Sequence, residues 1–203
     1  RWTLIEALKM GQSASTIEAA VGARGWSSEK TVRELAEPLL AEGAIGAALP
    51  TDADLEQALL AGRILAHAQG FRVLSAASEE FDWSLDLARI SEIWRAGCII
   101  RSALLDDFAQ AFRDELPGGH LILAPGMRVL LAQSVPALRR TLAAAVSAGV
   151  AMPALSASLA WYDTMRRGRG TTNLIQAQRD FFGAHGFARV DADGTHHGAW
   201  NAL

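Results

Sequence analysis

The fold of this chain is decided by residues 51–80, which read TDADLEQALLAGRILAHAQGFRVLSAASEE. Thr51 and Asp54 are residue types that cap helix N-termini, and the apolar residues after them recur at helical spacing. The pattern therefore predicts one long helix that ends at about Glu79 or Glu80. One stripe along this helix contains Leu55, Leu59, Gly62 and Ala66, and it is widened by Ala58, Leu65 and Val73. Because small residues let a second helix approach closely, we expect the long helix to be buried on more than one side.

Helical patterns also occupy much of the remaining chain. Gly11 is a plausible helix end, and Asp86 is a plausible cap at a helix start. Shorter helices are predicted over residues 3–9, 15–24, 31–40, 87–102 and 174–182.

The second half of the chain gives further helix signals and one ambiguous segment. Ser134-Val135-Pro136 predicts a helix start with a stop at Gly149, and Met152-Pro153 opens another helix. Residues 121–123 are compatible with a short strand. Strand signals are otherwise scarce, because Val, Ile and Thr are diluted by Ala and Leu. We therefore predict an all-α fold.

Composition excludes several classes of protein. The 203 residues are 50% hydrophobic with a net charge of −3, which allows a sizeable core and disfavours binding to nucleic acid or an anionic membrane. The most apolar stretch, residues 142–159, is interrupted by Ser, Gly and Pro, so it predicts two buried helices and no membrane span. The single Cys98 excludes an internal disulfide and suits a reducing cytosol, so we expect a cytoplasmic protein.

The sequence offers no pattern for a metal or nucleotide site. His196 and His197 are adjacent and would point to different sides, so we expect no metal site. Gly168-Arg169-Gly170 follows a helical pattern and lacks the third glycine of a dinucleotide fingerprint. We therefore expect no cofactor to bind this chain alone.

An Arg and a His on and after the last predicted helix are candidates for anion binding. Arg179 and His185 are separated by about one and a half helical turns and by Gly183. The guanidinium of such a pair can supply a bidentate fork and the imidazole a further donor to one anion. Spacing alone leaves an alternative open, in which Arg179 pairs with Asp180 or an exposed carboxylate and His185 caps the helix.

Two further arginines are weaker candidates. Arg24 ends an apolar helical segment, where it can either satisfy C-terminal carbonyls or reach into a cleft. Arg1 precedes Thr3, a potential cap whose helix amides would favour an anion beside Arg1. A terminal Arg can equally be disordered. The residues alone therefore decide neither whether Arg24 reaches into a cleft nor whether Arg1 lies beside an anion.

The tail after Gly183 is rich in turn residues and has too little pattern to fold alone. It nevertheless contains four large apolar residues, so we expect it to pack against a second subunit. These residues are Phe187, Val190, Trp200 and Leu203.

Several segments resemble those of a known enzyme family. Residues 93–102 (IWRAGCIIRS) are similar to the Trp-Arg-Gly-Gly-Cys-Ile-Ile-Arg segment of 6-phosphogluconate dehydrogenases, and residues 174–185 (LIQAQRDFFGAH) resemble the tail motif of that family. Residues 66–71 (AHAQGF), 152–153 (MP) and 160–163 (AWYD) fit in the family's order. The resemblance extends over essentially the whole chain.

The resemblance implies a fold, a reaction and partners. Enzymes of this family oxidise 6-phosphogluconate with NADP and decarboxylate the product to ribulose 5-phosphate, as homodimers. An N-terminal Rossmann domain binds NADP, and a large helical domain makes most of the interface. By resemblance, residues 1–170 are the helical substrate-binding and dimerisation domain. Residues 171–203 are then a tail helix and an extended segment that docks on the other subunit by tail exchange.

The resemblance also implies roles for the four candidate residues. Arg1, a Lys in most relatives, and Arg24 would contact the substrate phosphate, while Arg179 and His185 would reach substrate bound mainly by the other subunit. A phosphate dianion favours several such fixed donors. The family's catalytic Lys and Glu belong upstream of Arg1, so we expect no catalytic residue here and no turnover by this chain alone. The alternative is a non-enzymatic helical dimer or anion-binding module that has kept the family core.

Overall fold

The structure is a computed structural model that describes residues 2–41, 48–114 and 116–200. The chain divides into two compact units, one ending at Leu159 and one beginning at Ala160. The α-helices of the described residues are α1 (Trp2–Lys9), α2 (Ser15–Gly25), α3 (Lys30–Ala36), α4 (Asp52–Glu80), α5 (Leu87–Ile93), α6 (Leu104–Arg113), α7 (Pro125–Ser147), α8 (Pro153–Met165) and α9 (Thr172–Gly183). Short 3-10 helices lie at Trp26–Glu29, Pro117–Gly119 and Leu121–Leu123. The predicted all-α fold is confirmed.

Helix α4 is the central element of the first unit. The predicted cap is confirmed, because the Asp54 amide donates to Thr51 Oγ1 at 3.1 Å. The helix packs mainly against α7, and Phe108 of α6 is fully buried beside it. The apolar core of this unit includes Ala58, Ala61, Ile64, Leu65, Leu105, Phe108, Leu131 and Leu138.

The predicted stripe of α4 is buried in part. Gly62, Ala58, Leu65 and Val73 are buried as expected, whereas Leu55 and Leu59 are 43% and 57% exposed. The expected close approach of a second helix does occur at Gly62. A Cβ atom there would collide with the Leu155 side chain of α8.

The predicted end of the helix over residues 87–102 is wrong. The helix predicted over residues 87–102 is capped by Asp86, whose Oδ1 accepts from the Arg89 amide at 2.9 Å, but it ends at Ile93. Gly97 has a φ of 76°, a left-handed conformation that interrupts a helix. The Cys98 thiol then donates to the Trp94 carbonyl at 3.0 Å, so a series of turns follows α5.

Helix α7 begins earlier than the sequence pattern indicates. Pro125 occupies its first turn, where a missing amide costs nothing, and the helix continues through Pro136 to Ser147. Burial of Val135 and Leu138 on either side of Pro136 offsets the hydrogen bond that the proline removes. The stop at Gly149 is confirmed by its φ of 67°. Residues Leu121–Leu123 form a 3-10 helix and no strand.

A buried polar network fixes α2, the helix that ends near Arg24. The Gln69 amide oxygen accepts from the Thr16 amide at 2.9 Å, and Gln69 Nε2 donates to Thr16 Oγ1 at 2.9 Å. Thr16 Oγ1 also lies 2.9 Å from the Ser158 hydroxyl, which donates to the Ala154 carbonyl. Because Gln69 is fully buried and both ends of its amide are paired, the network joins α2, α4 and α8 at one point.

The second unit contains α9 and a small hairpin. Strands β1 (Phe187–Ala188) and β2 (Thr195–His196) pair antiparallel, with Phe187 opposite His196. The predicted tail helix over residues 174–182 is confirmed by α9, and Leu203 lies outside the described residues. The division into functional domains at residue 170 stays a prediction. Among the described residues, no helix combines the length and apolar character needed to cross a membrane.

Candidate functional site

Arg24 is exposed near the C-terminal end of α2. It lines an open pocket with Trp2, Val21, Gly25, Ser27 and Ser28. The Ser27 hydroxyl donates to the Arg24 carbonyl at 2.8 Å, and the Ser28 hydroxyl donates to the Gly25 carbonyl at 2.7 Å. Serine hydroxyls thus satisfy these helix-end carbonyls. Within residues 2–41, 48–114 and 116–200, the Arg24 guanidinium forms no hydrogen bond or ion pair, which leaves it directed at the pocket.

The other candidate at the start of the chain is only partly described. Arg1 lies outside the described residues. The predicted cap by Thr3 is wrong, because helix α1 already includes Trp2 and Thr3 lies in its first turn. Any contact of Arg1 with an anion stays a prediction.

Arg179 and His185 line the same surface pocket. Both side chains are exposed, and the pocket also contains Gln178, Phe182 and Gly183. Arg179 forms no ion pair with any residue that the structure describes. Its guanidinium and the His185 imidazole therefore line one pocket, and their convergence on a single anion stays a prediction.

Asp180 faces away from this pocket and is almost completely buried, with 2% of its surface exposed. Its Oδ1 accepts from the Gly186 amide at 2.8 Å and from Nδ1 of His197 at 2.6 Å. Its Oδ2 accepts from the Gly198 amide at 2.8 Å and from Trp200 Nε1 at 2.7 Å. These four donors, first among them the Gly198 amide, hold the pKa of the Asp180 carboxyl well below its usual range.

We did not predict from the sequence that Asp180 is buried and accepts four hydrogen bonds. An Asp next to an Arg on a helix suggested a possible ion pair between the two, yet adjacent helical residues point about 100° apart. The available signal was the run of donors at residues 197–200, where a His, a Gly and a Trp follow one another closely. Donors that become buried on folding need hydrogen-bond acceptors, so a run of this kind indicates a buried acceptor nearby in the folded chain.

The loop that contains His185 is held by α9 itself. Ala184 is left-handed, with a φ of 49°, and its amide donates to the Asp180 carbonyl at 2.8 Å. Gly186 donates its amide to the Asp180 carboxylate, and its carbonyl accepts from Gln176 Nε2 at 2.5 Å. A Cβ on Gly183 would lie 3.0 Å from the His185 ring, so this glycine leaves space for the imidazole.

His67 is half-buried and His120 is buried in the first unit. Burial lowers the pKa of His67, whose Nδ1 lies 2.7 Å from the Arg63 carbonyl and donates to it. The His67 ring lies 5.2 Å from that of Phe108. Burial, together with the nearby charge of Arg72, also lowers the pKa of His120. Both imidazoles are therefore neutral near pH 7 and pack in the interior.

The side chains in the two pockets are chemically suited to an anion. Among the residues that the structure describes, no acid pairs with Arg24 or Arg179, and Asp180, the acid nearest to Arg179 in sequence, is saturated with hydrogen bonds. Within the described part of the chain, no three His, Cys, Asp or Glu side chains lie close enough together to hold a metal ion. Cationic donors without an adjacent base are suited to binding and orienting a phosphate.

Known proteins match this chain over nearly all of its length. The family model described as "6-phosphogluconate dehydrogenase, C-terminal domain" matches residues 1–200. The chain is 38% identical over 214 residues to the chloroplastic decarboxylating 6-phosphogluconate dehydrogenase 2 of Spinacia oleracea, covering 100% of this chain and 40% of the relative. It is 39% identical over 203 residues to the decarboxylating 6-phosphogluconate dehydrogenase of Escherichia coli K12, covering 98% of this chain and 43% of that relative.

A solved structure gives the same result in three dimensions. The Plasmodium falciparum 6-phosphogluconate dehydrogenase, solved in apo form and in complexes with NADP+ and with 6-phosphogluconate, superposes with a TM-score of 0.89 at 35% identity. The match covers 98% of this chain and 44% of that protein. The chain thus spans less than half the length of the relatives it matches.

Proposed function

The chain belongs to the 6-phosphogluconate dehydrogenase family, matching its C-terminal domain, and from this we propose that it forms the substrate-binding and dimerisation part of a decarboxylating enzyme. The resemblance noted in the sequence is confirmed. The proposed overall reaction converts 6-phosphogluconate and NADP to ribulose 5-phosphate, CO2 and NADPH.

The observation that supports this proposal most is the pocket shared by Arg179 and His185. A phosphate dianion gains most from donors that are fixed, cationic and not already paired. Arg179 supplies a planar fork and His185 a ring donor, and both lie on the same exposed surface. We propose that this pair binds the phosphate of 6-phosphogluconate.

Arg24 is proposed as a further phosphate ligand, together with Arg1. Its guanidinium lies in a pocket whose serine hydroxyls occupy the nearby carbonyls. In the proposed homodimer, Arg1 and Arg24 belong to the subunit that binds most of the substrate. Arg179 and His185 then belong to the tail contributed by the other subunit.

Exposed apolar side chains support the proposed dimer with tail exchange. Phe182 and Val190 are 75% and 77% exposed in the second unit, and Ile99 is 99% exposed in the first. Side chains of this kind commonly mark an interface when they are numerous. Other large apolar residues with much exposed surface are Trp2, Leu8, Val32, Leu35, Leu39, Leu40, Leu49, Val146 and Leu174.

NADP is proposed to bind the full-length enzyme outside this chain. In the described residues the two strands are two residues long, and neither leads through a glycine-rich turn into a helix. The residues present therefore do not fit a dinucleotide, and we derive no step of the reaction through the coenzyme. Relatives include chloroplast proteins, while the single thiol of Cys98 supports our proposal of a cytoplasmic location.

Calorimetry with 6-phosphogluconate tests the proposal. We expect Arg179→Ala to lower the affinity by about tenfold or more, because a charge-assisted bidentate contact is lost. Arg189→Ala is the matched control, since Arg189 lies in the same unit but is paired with Asp191 at 2.5 Å. Equal affinities of wild type and Arg179→Ala, or no binding by the wild type, would contradict the proposal.

A further inference from the structure

We propose that Asp180 is a positioning residue for the phosphate site, because its carboxylate folds the C-terminal segment onto α9 and fixes the loop that presents His185 beside Arg179. The proposal rests on the proposed phosphate-binding function of Arg179 and His185. It concerns a residue that would touch no substrate atom.

The saturation of the carboxylate excludes a direct role in binding. An ionised carboxylate has about four lone-pair sites, and all of them are used here, two on each oxygen. The side chain is fully buried, whereas Arg179, the preceding residue on α9, is exposed. Asp180 is therefore unavailable as a base or as a ligand for substrate.

Its partners connect two separate parts of the second unit. The Gly198 amide and the Trp200 indole belong to the end of the described chain, whereas the Gly186 amide belongs to the loop directly after His185. The Gly186 carbonyl is in turn held by Gln176 at 2.5 Å. The amide and the carbonyl of Gly186, the residue directly after His185, are thus both hydrogen-bonded to side chains of α9. Asp180 is one of these two side chains and Gln176 is the other.

The direction in which the affinity changes when Asp180 is neutralised distinguishes a positioning role from a simple effect of its charge. A negative charge one residue from Arg179 opposes the binding of an anion, so its removal by itself would raise the affinity for phosphate. A positioning role predicts the opposite. In Asp180→Asn, one acceptor oxygen becomes an NH2 group that faces two donors, so the loop and the tail lose their common anchor.

The experiment uses the full 203-residue chain and three variants. We expect Asp180→Asn to bind 6-phosphogluconate about tenfold or more weakly, since contacts of a charged acceptor are lost. Trp200→Phe removes a single donor and keeps an aromatic ring against Phe181, so it should weaken binding by only a few fold. Asp180→Glu, which keeps the charge and both acceptor oxygens, should recover part of the affinity lost in Asp180→Asn.

A second measurement reports the position of His185 without any substrate. The ring resonances of His185 in a carbon–proton NMR correlation spectrum should shift in Asp180→Asn and, by less, in Trp200→Phe. Unchanged affinity together with unchanged His185 resonances would overturn the positioning role, as would tighter binding by Asp180→Asn. If Asp180→Asn fails to fold, the Trp200→Phe comparison decides by the same two readouts.

The Arg179→Ala variant separates this inference from the proposed function. If Arg179→Ala binds normally, the phosphate site itself is wrong. If Arg179→Ala loses binding while Asp180→Asn and Trp200→Phe keep it, the function stands and the role of Asp180 is refuted.

Discussion

Trp200 Nε1 donates to the Asp180 carboxylate at 2.7 Å, although the two residues are separated by 20 positions in the chain. The indole ring also lies edge-on to Phe181, with ring centroids 5.9 Å apart. One side chain near the C-terminus thus contacts two consecutive residues of α9. The end of the described chain therefore lies against the helix that carries Arg179, so we expect changes there to affect the proposed phosphate site.

Arg24→Ala should weaken the binding of 6-phosphogluconate by about tenfold, because one unpaired cation is removed from the proposed site. Isothermal calorimetry measures this directly. Arg33→Ala is the control, since Arg33 is also exposed and belongs to α3 of the same unit. An affinity equal to that of the wild type would remove Arg24 from the site.

Gly186→Ala should destabilise the second unit. Gly186 has a φ of 74°, which costs an alanine about 1–2 kcal/mol, and the added Cβ would also collide with the Thr195 side chain. We expect faster hydrogen exchange at the Gly198 amide, which donates to Asp180. Gly168→Ala provides the comparison, because no atom lies within 4 Å of a Cβ there. Equal exchange rates in both variants would contradict the expected strain.

Gln69→Leu should lower the free energy of unfolding by about 1–3 kcal/mol, because the buried Thr16 amide loses its acceptor. Urea denaturation followed by circular dichroism gives the value. Gln133→Leu, an exposed position on α7, should change it by less than about 0.5 kcal/mol. Similar losses in the two variants would show that the network adds nothing specific.

The stability of the first unit should fall as the pH is lowered below 6.5. Burial lowers the pKa of His67 and of His120 from the usual value of 6.5. The charge of Arg72 adds to the effect at His120, whereas at His67 the hydrogen bond to the Arg63 carbonyl partly opposes it. The unfolded chain therefore binds protons at a pH where the folded chain does not, and stability decreases from pH 6.5 towards the folded pKa values. Urea midpoints at pH 7.5 and 5.5 measure this.

The same titration has a variant that tests its cause. The double variant His67→Gln, His120→Gln should show a smaller change in midpoint between the two pH values than the wild type. His185→Gln, at an exposed position, should retain the dependence of the wild type. A dependence that survives the double substitution would have to come from other groups.

The chain should sediment as a dimer of about 43 kDa, twice its mass of 21.7 kDa. Exposed apolar side chains on both units motivate this expectation. Sedimentation velocity over a hundredfold dilution provides the measurement. A monomer at all concentrations, with an ordered tail, would contradict the proposed exchange.

The central helix and its start could be predicted from the sequence because the determinants are local. Thr51 caps the first turn, and apolar residues recur on adjoining turns up to Glu80. The exposure of Leu55 and Leu59 could not be predicted, since only the position of α7 decides which part of the apolar stripe packs. Local signals were also misleading at Pro136, where the sequence predicted a helix start but α7 begins at Pro125 and continues through the proline.

The candidate site could be predicted only in part. The spacing of Arg179 and His185 indicated that they could converge, and the family resemblance favoured that reading over a pair with Asp180. The inward direction of Asp180 could not be read from the sequence, because its partners come from residues 186–200 and depend on how the hairpin folds. Long-range hydrogen bonds of this kind have no periodic pattern to reveal them.

The donors around Asp180 are of two kinds, and the two kinds tolerate different substitutions. Two of them are main-chain amides, at Gly186 and Gly198, and any residue except proline retains an amide. The other two belong to His197 and Trp200, and most substitutions there remove a donor outright. In a saturation library of residues 186–200 selected for folded protein, we therefore expect prolines to be depleted at Gly186 and Gly198 because they lack the amide. At His197 and Trp200 we expect most replacements to be depleted, Trp200→Phe less than the others because it keeps the aromatic ring. Losses of other residues at 186 and 198 would instead report the lack of space for a Cβ atom.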